Sequence, residues 1–251
     1  MLNRITTGVK GLDELLGGGL PEGRCILLSG SPGSGKTTLS IQFLYNGAAK
    51  GEGGLYVSLD ERPETVRENL SGFGWNIDEF EKRGKLLFFD ASNWGLRKIK
   101  QTSGTGILDS LEQSGVTPGI TFQDVLKTIA KIVDEESITR IAVDPITSIS
   151  LRYLERAKRR RALLAFFEAL SEMGITSIVT SELRTSLLER PFQLEEFLSQ
   201  GVILLHTLVH DGNVIRAIQV EKMRGIPHDA QLRPYQIGEK GIEVFPRDKV
   251  F

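Results

Sequence analysis

The run "GSPGSGKTT", residues 30–38, sets glycines, a lysine and two threonines in an order suited to gripping phosphate. Gly30, Gly33 and Gly35 let backbone N–H groups approach phosphate oxygens with no Cβ in the way. Ser31, Pro32 and Ser34 complete the loop, and Thr38 carries it into a helix whose positive end favours an anion. Lys36 supplies a mobile point charge for the β- and γ-phosphates, and the Thr37 hydroxyl suits Mg²⁺. Such a loop needs a carboxylate at the end of another apolar strand to hold the magnesium ion through water. "IAVD" ends in Asp144, whose plainer alternative is a strand-terminal aspartate starting a turn with Pro145.

Hydrolysis also needs a group that orients or deprotonates the attacking water. "SLDE" offers Asp60 and Glu61 in tandem, and alternation along a strand would aim only one of them at the phosphate. The pair has a second reading as acids favoured by the dipole of the helix that follows. Glu182, which ends "IVTSE", is a third candidate, with Ser181 as a polar sensor.

These side chains require a framework that brings strand ends together. "CILLSG" (25–30) reads as a buried strand, and "KTTLSIQFLYNGAAKG" reads as the helix after it. "GLYVSLDE" (54–61), "KLLFFDA" (85–91), "ITRIAVDP" (138–145) and "TSIVTSE" (176–182) are further strands. Helices are expected over "RPETVRENLSGFG", with Pro63 near its first turn, over 121–136 and over 152–174. Strands alternating with helices predict parallel βαβ units. The pattern then changes, with hairpins predicted around Asp211-Gly212-Asn213 and within "YQIGEKGIEVF". The fold class is therefore α/β: a mostly parallel sheet flanked by helices, extended by antiparallel C-terminal hairpins. We read residues 1–251 as one domain, with a Gly-, Ser- and Thr-rich insertion at 92–120 expected to be a flexible loop.

Totals narrow the class. The 251 residues carry 31 basic and 32 acidic side chains, so no whole-surface attraction to nucleic acid or membrane is expected. The single cysteine, Cys25, excludes an intramolecular disulfide and fits a reducing compartment. Three scattered histidines suggest no metal cluster. No run approaches the roughly 20 apolar residues that span a bilayer. A cytoplasmic protein is expected.

Taken in order, "ITTGVKGLDELLGGGLPEG", "GSPGSGKTT", "YVSLDERPETVRENLSGFGW", "IAVDPITSIS", "TSE" and "VEKMRGIPHD" resemble the KaiC family of RecA-superfamily ATPases, from about Leu2 to Phe245. Single-domain versions of that family are common in archaea. The resemblance implies a RecA-type fold, ATP and Mg²⁺ as ligands, and a homo-oligomeric ring, often a hexamer, with ATP between subunits. Asp60 and Glu61 fall on the family's tandem glutamates, the first shortened here to Asp. Phe73 falls where the family has residues near the adenine. In the run Lys222-Met223-Arg224, the lysine and arginine match residues that enter the neighbouring subunit's site, and His228 matches a residue near the nucleotide. Self-phosphorylation is not implied. The acceptor positions of the clock protein fall on Glu196, Phe197 and near Pro191, although Ser199, Thr185 and Ser186 are close by.

The function expected is an ATP-hydrolysing ring that acts on an unidentified protein partner. Two alternatives stand beside it: a DNA-acting RecA relative, for which "KRRR" (158–161) is the candidate patch, and a nucleotide-loaded scaffold that hydrolyses little. Without interleaved aromatics, that basic run reads better as a solvated or intersubunit face.

Overall fold

Strand residues of alternating parity divide between two hydrophobic layers, one on each face of a nine-stranded sheet. The computed structural model describes residues 2–92, 119–183 and 192–250. The chain begins with β1 (Arg4–Ile5), α1 (Leu12–Leu15), β2 (Leu20–Pro21), β3 (Cys25–Gly30), α2 (Lys36–Ala49) and β4 (Gly53–Ser58). α3 (Pro63–Leu70), a 3₁₀ turn (Ser71–Phe73), α4 (Ile77–Lys82) and β5 (Leu86–Asp90) follow. Beyond residue 118 come α5 (Phe122–Glu135), β6 (Ile138–Asp144), α6 (Thr147–Ser150), α7 (Arg156–Glu172) and β7 (Thr176–Glu182). The chain closes with α8 (Leu194–Leu198), β8 (Gly201–His210), β9 (Asn213–Met223), β10 (Arg233–Gly238) and β11 (Gly241–Val244).

Across the sheet the order is β11-β10-β9-β8-β3-β7-β6-β4-β5. From β8 to β5 every pairing is parallel, and from β8 to β11 every pairing is antiparallel. Ile26, Leu28, Tyr56, Ala142 and Ile178 join one layer with Leu39, Phe43 and Leu44 of α2. Cys25, Leu27, Val57, Val143 and Val179 join the other with α5 and α7. In α7 the buried residues Leu163, Phe166, Phe167 and Leu170 recur at helical spacing, each contributing about 1.5–3 kcal/mol by leaving water. α5 starts at a capping box in which Thr121 and Asp124 satisfy each other's backbone N–H groups.

Two expectations need correction. The strand read over 54–61 stops at Ser58, because the residue ahead of Pro63 must be extended and the chain turns to reach it. The helix read from 152 starts at Arg156, after the separate short helix α6, and leaves Leu151 and Leu154 exposed. β8 flanks β9 throughout, and β10 joins its other side at Ala217 and Ile218. Of the insertion expected at 92–120, residues 93–118 lie outside the described residues, as do Thr185, Ser186 and Pro191.

Candidate active site

Parallel register delivers the candidate groups to one end of the sheet. Gly30 lies beside Glu182 of β7, and Ser58 of β4 beside Asp144 of β6. The loop from β3 to α2 therefore faces the ends of β4, β6 and β7 across a cavity of about 230 Å³. Its walls include Pro32, Gly33, Lys36 and Thr37 on the loop side and Asp60, Glu61, Asp144 and Glu182 opposite.

Backbone conformation explains the glycine at the helix start. Gly35 has φ 91°, and a Cβ there would lie 2.9 Å from Ile237 Cδ1 and 3.0 Å from Ile242 Cδ1. The β10–β11 hairpin thus closes over the back of the loop, and the Tyr235 hydroxyl donates to the Ser34 carbonyl at 2.6 Å. Ser34 is buried and its hydroxyl has no hydrogen-bond partner among the described residues. The Ser31 hydroxyl reaches Thr207 Oγ1 at 3.3 Å. Thr38 is half-buried in the first turn of α2 and is not a wall residue. Lys36 Nζ donates to the carbonyls of Gly30 (2.9 Å) and Ser31 (3.1 Å). Burial lowers its pKa below the usual lysine range, against the opposing pull of the Asp144 and Glu182 carboxylates.

Asp144 is 5% exposed and gathers three hydroxyls. Thr37 Oγ1 donates to Oδ2 at 2.6 Å and the Tyr56 hydroxyl to the same oxygen at 2.8 Å, while Thr180 Oγ1 donates to Oδ1. The Thr37 hydroxyl has one proton, which goes to Asp144, so its lone pairs stay free to accept or ligate. Thr37 and Asp144 thus present adjacent oxygen donors to the cavity, the chemistry a hard cation such as Mg²⁺ takes.

Asp60 and Glu61 are exposed residues of the turn between β4 and α3, where strand alternation no longer applies. Both line the cavity. The Ser58 hydroxyl donates to the Glu61 carbonyl and ties the turn down. Glu182 lines the cavity as well, but Ser181 points into the opposite layer and pairs with Ser29 Oγ at 2.8 Å, which removes it as a sensor. Phe73 stands outside the cavity walls, stacked on Trp75 with ring centroids 5.0 Å apart, and Trp75 in turn stacks on Tyr45 of α2.

Lys222 and Arg224 belong to another place on the molecule. Lys222 pairs with Val202, which lies beside Leu27 near the start of β3, whereas the phosphate-type loop begins beyond the end of that strand. Both line a separate hollow of about 280 Å³ with Phe192, Glu196 and Phe197. Lys222 Nζ donates to the Glu196 carbonyl, and burial with the nearby Arg224 charge lowers its pKa against Glu196. Met223, grouped with them on sequence, is a core residue: it is 3% exposed and fills the space over Gly201. His228 is half-buried, its Nδ1 3.4 Å from the Ile226 carbonyl oxygen. Ser199, a nearby hydroxyl considered as a phosphate acceptor, is fully buried. Lys158, Arg160 and Arg161 are exposed, with Lys158 paired to Glu155 at 2.7 Å.

Tyr56, Thr180 and Tyr235 escaped the sequence reading. The available signal was parity, since Tyr56 and Ser58 share a strand face and Thr180 precedes Glu182 by two residues.

Comparison with known proteins adds four findings. The family model described as "ATPase: KaiC" matches residues 5–249. A UPF0273 protein of Thermotoga maritima is 35% identical over 99% of this chain and 98% of its own length. The circadian clock oscillator protein KaiC of Prochlorococcus marinus is 31% identical over 98% of this chain, which spans 46% of that longer protein. Among solved structures, a KaiC-like protein of Pyrococcus horikoshii superposes with TM-score 0.79 at 34% identity, covering 98% of this chain and all of the other.

Proposed function

The chain belongs to the KaiC family of ATPases, and from that membership and the geometry of the cavity we propose that it binds ATP with Mg²⁺ and hydrolyses it. The observation that carries this reading is the meeting of Thr37, from the glycine-rich loop, with the buried carboxylate of Asp144 from a separate strand. Thr37 and Asp144 would hold the magnesium ion, which supplies positive charge against the phosphates. Backbone N–H groups from Gly33 to Lys36 bind the phosphate oxygens, and Lys36 leaves its carbonyl partners to meet the same charge. Asp60 or Glu61 orients the attacking water and accepts its proton.

Our reading extends to a ring of copies, often six in this family, in which Lys222 and Arg224 serve the neighbour's nucleotide and His228 lies close by. Support comes from their position at the opposite end of the sheet from the protomer's own loop, where they cannot serve that loop. The ring would act on a protein partner. DNA has little in its favour, since the exposed basic run is a helix face already paired in part with Glu155. Among the described residues no helix is long and apolar enough to cross a membrane.

The test is ATP turnover measured together with particle mass, with and without Mg²⁺ and ATP. Turnover that needs Mg²⁺, is lost in Lys36→Ala, and accompanies a multimeric mass is the expected result. A monomer under all conditions would remove the ring, and a protein that binds ATP without turning it over would leave the scaffold reading.

A further inference from the structure

We propose that Tyr56 and Thr180 are positioning residues that fix the Asp144 carboxylate for a divalent cation, an inference that rests on the ATP-and-magnesium reading above. Asp144 ends β6, and its two side-chain partners from the sheet come from the strands on either side: Tyr56 from β4 and Thr180 from β7. Each takes a different oxygen, Tyr56 on Oδ2 and Thr180 on Oδ1, so together they stop the carboxylate from rotating about its Cβ–Cγ bond. Thr37 adds a third donor from the loop. A carboxylate offers about four lone-pair sites. With three taken by hydroxyls, few orientations remain, and the wall residue Asp144 keeps acceptor capacity toward the cavity.

All three of these hydrogen-bonding donors are neutral. A guanidinium in their place would satisfy the same oxygens but would offset the negative charge that attracts a cation. Hydroxyls orient the carboxylate and leave that charge in place. Tyr56 suits the task because its ring is 1% exposed and packs on Phe88 with centroids 5.4 Å apart, so the hydroxyl is held at one point. Its bond to Asp144 is strongly favoured, since a buried phenol without a partner costs free energy.

The test uses the full chain and ADP, titrating Mg²⁺ and reading the concentration that half-completes its effect on ADP affinity; ADP affinity in EDTA is read separately. Tyr56→Phe keeps the ring and Thr180→Val keeps the shape. Each should raise the half-effective Mg²⁺ about tenfold while metal-free ADP affinity stays within about twofold of the parent. Thr180→Ser, which retains a hydroxyl, should stay near the parent value. Parent-like Mg²⁺ dependence in both Tyr56→Phe and Thr180→Val would overturn the assignment, as would an equal loss of ADP affinity in EDTA, the mark of general damage. A parent chain whose ADP affinity ignores Mg²⁺ overturns the underlying reading too, and does so before any variant is made.

Discussion

Asp60 and Glu61 share a turn, and their lengths and surroundings separate them. Glu61 has one more methylene and lies near enough to Tyr56 for its charge to help raise the phenol's pKa, after burial and Asp144. The Glu61 charge is thus felt on the Asp144 side of the cavity. Glu61→Gln is therefore expected to lower kcat by about a hundredfold or more, the usual scale for losing a general base. Asp60→Asn should lower it far less. Rates for the two single variants decide the assignment; equal losses would mean that the tandem acts as a unit.

At the scale of elements, β6 carries two buried charged residues with different duties. Asp144 lines the cavity, and Arg140 ties α2 and the start of the chain to the sheet behind it. The Arg140 guanidinium pairs with Glu52 at 2.5 Å and donates to the carbonyls of Thr6 (2.9 Å) and Phe43 (3.0 Å). α2 makes room for it with Gly47, where a Cβ would meet Arg140 Nε at 2.4 Å. Arg140→Leu leaves those acceptors unpaired and should cost about 3 kcal/mol in urea unfolding. Glu52→Gln, at a half-exposed partner, should cost less than about 1 kcal/mol.

The connection from β9 to β10 is held by Asp229, which accepts from Arg233 at 2.6 and 2.9 Å. Burial pushes the Asp229 carboxyl up, but hydrogen bonds from the Gln231 N–H and Arg233, with the Arg233 charge, outweigh it and leave the pKa below the usual range. An acid with a lowered folded pKa stabilises the fold above its unfolded pKa, and that contribution fades as pH falls through the folded value. The unfolding midpoint of Asp229→Asn should therefore drop less between neutral pH and pH ~3 than the parent's does.

For the whole molecule, the antiparallel extension would set the geometry of the proposed ring. β9 runs against β8, so its end at Met223 returns to the start of β3 and carries Lys222 and Arg224 away from the protomer's own cavity. In a ring, Arg224→Ala protomers keep a sound loop and Lys36→Ala protomers keep a sound Arg224. Neither should turn over ATP alone, and mixtures should regain part of the activity, with a maximum at intermediate ratios. Rings that form but stay inactive at every ratio would count against delivery between subunits.

The α/β class, nearly every strand of the sheet and the loop at 30–38 were legible in the residues alone, because these depend on short-range chemistry. Apolar runs, β-branched residues, glycines at fixed spacing and an Asp-Gly turn act over a few residues of chain. Asp144 was legible for the same reason, as a carboxylate closing an apolar run. The remainder depended on contacts between residues far apart in the chain. Tyr56 and Thr180 are ordinary strand residues until β4 and β7 flank β6, and Tyr235 is one more tyrosine until its hairpin closes over Ser34. Ser181 pointed the wrong way because face parity within β7 is fixed by its pairing with β3 and by the helix each face meets. Met223, read as part of a surface motif, was claimed by the core for a similar reason. Hydrophobic burial selects which side of a strand turns inward, and only the assembled sheet has an inside.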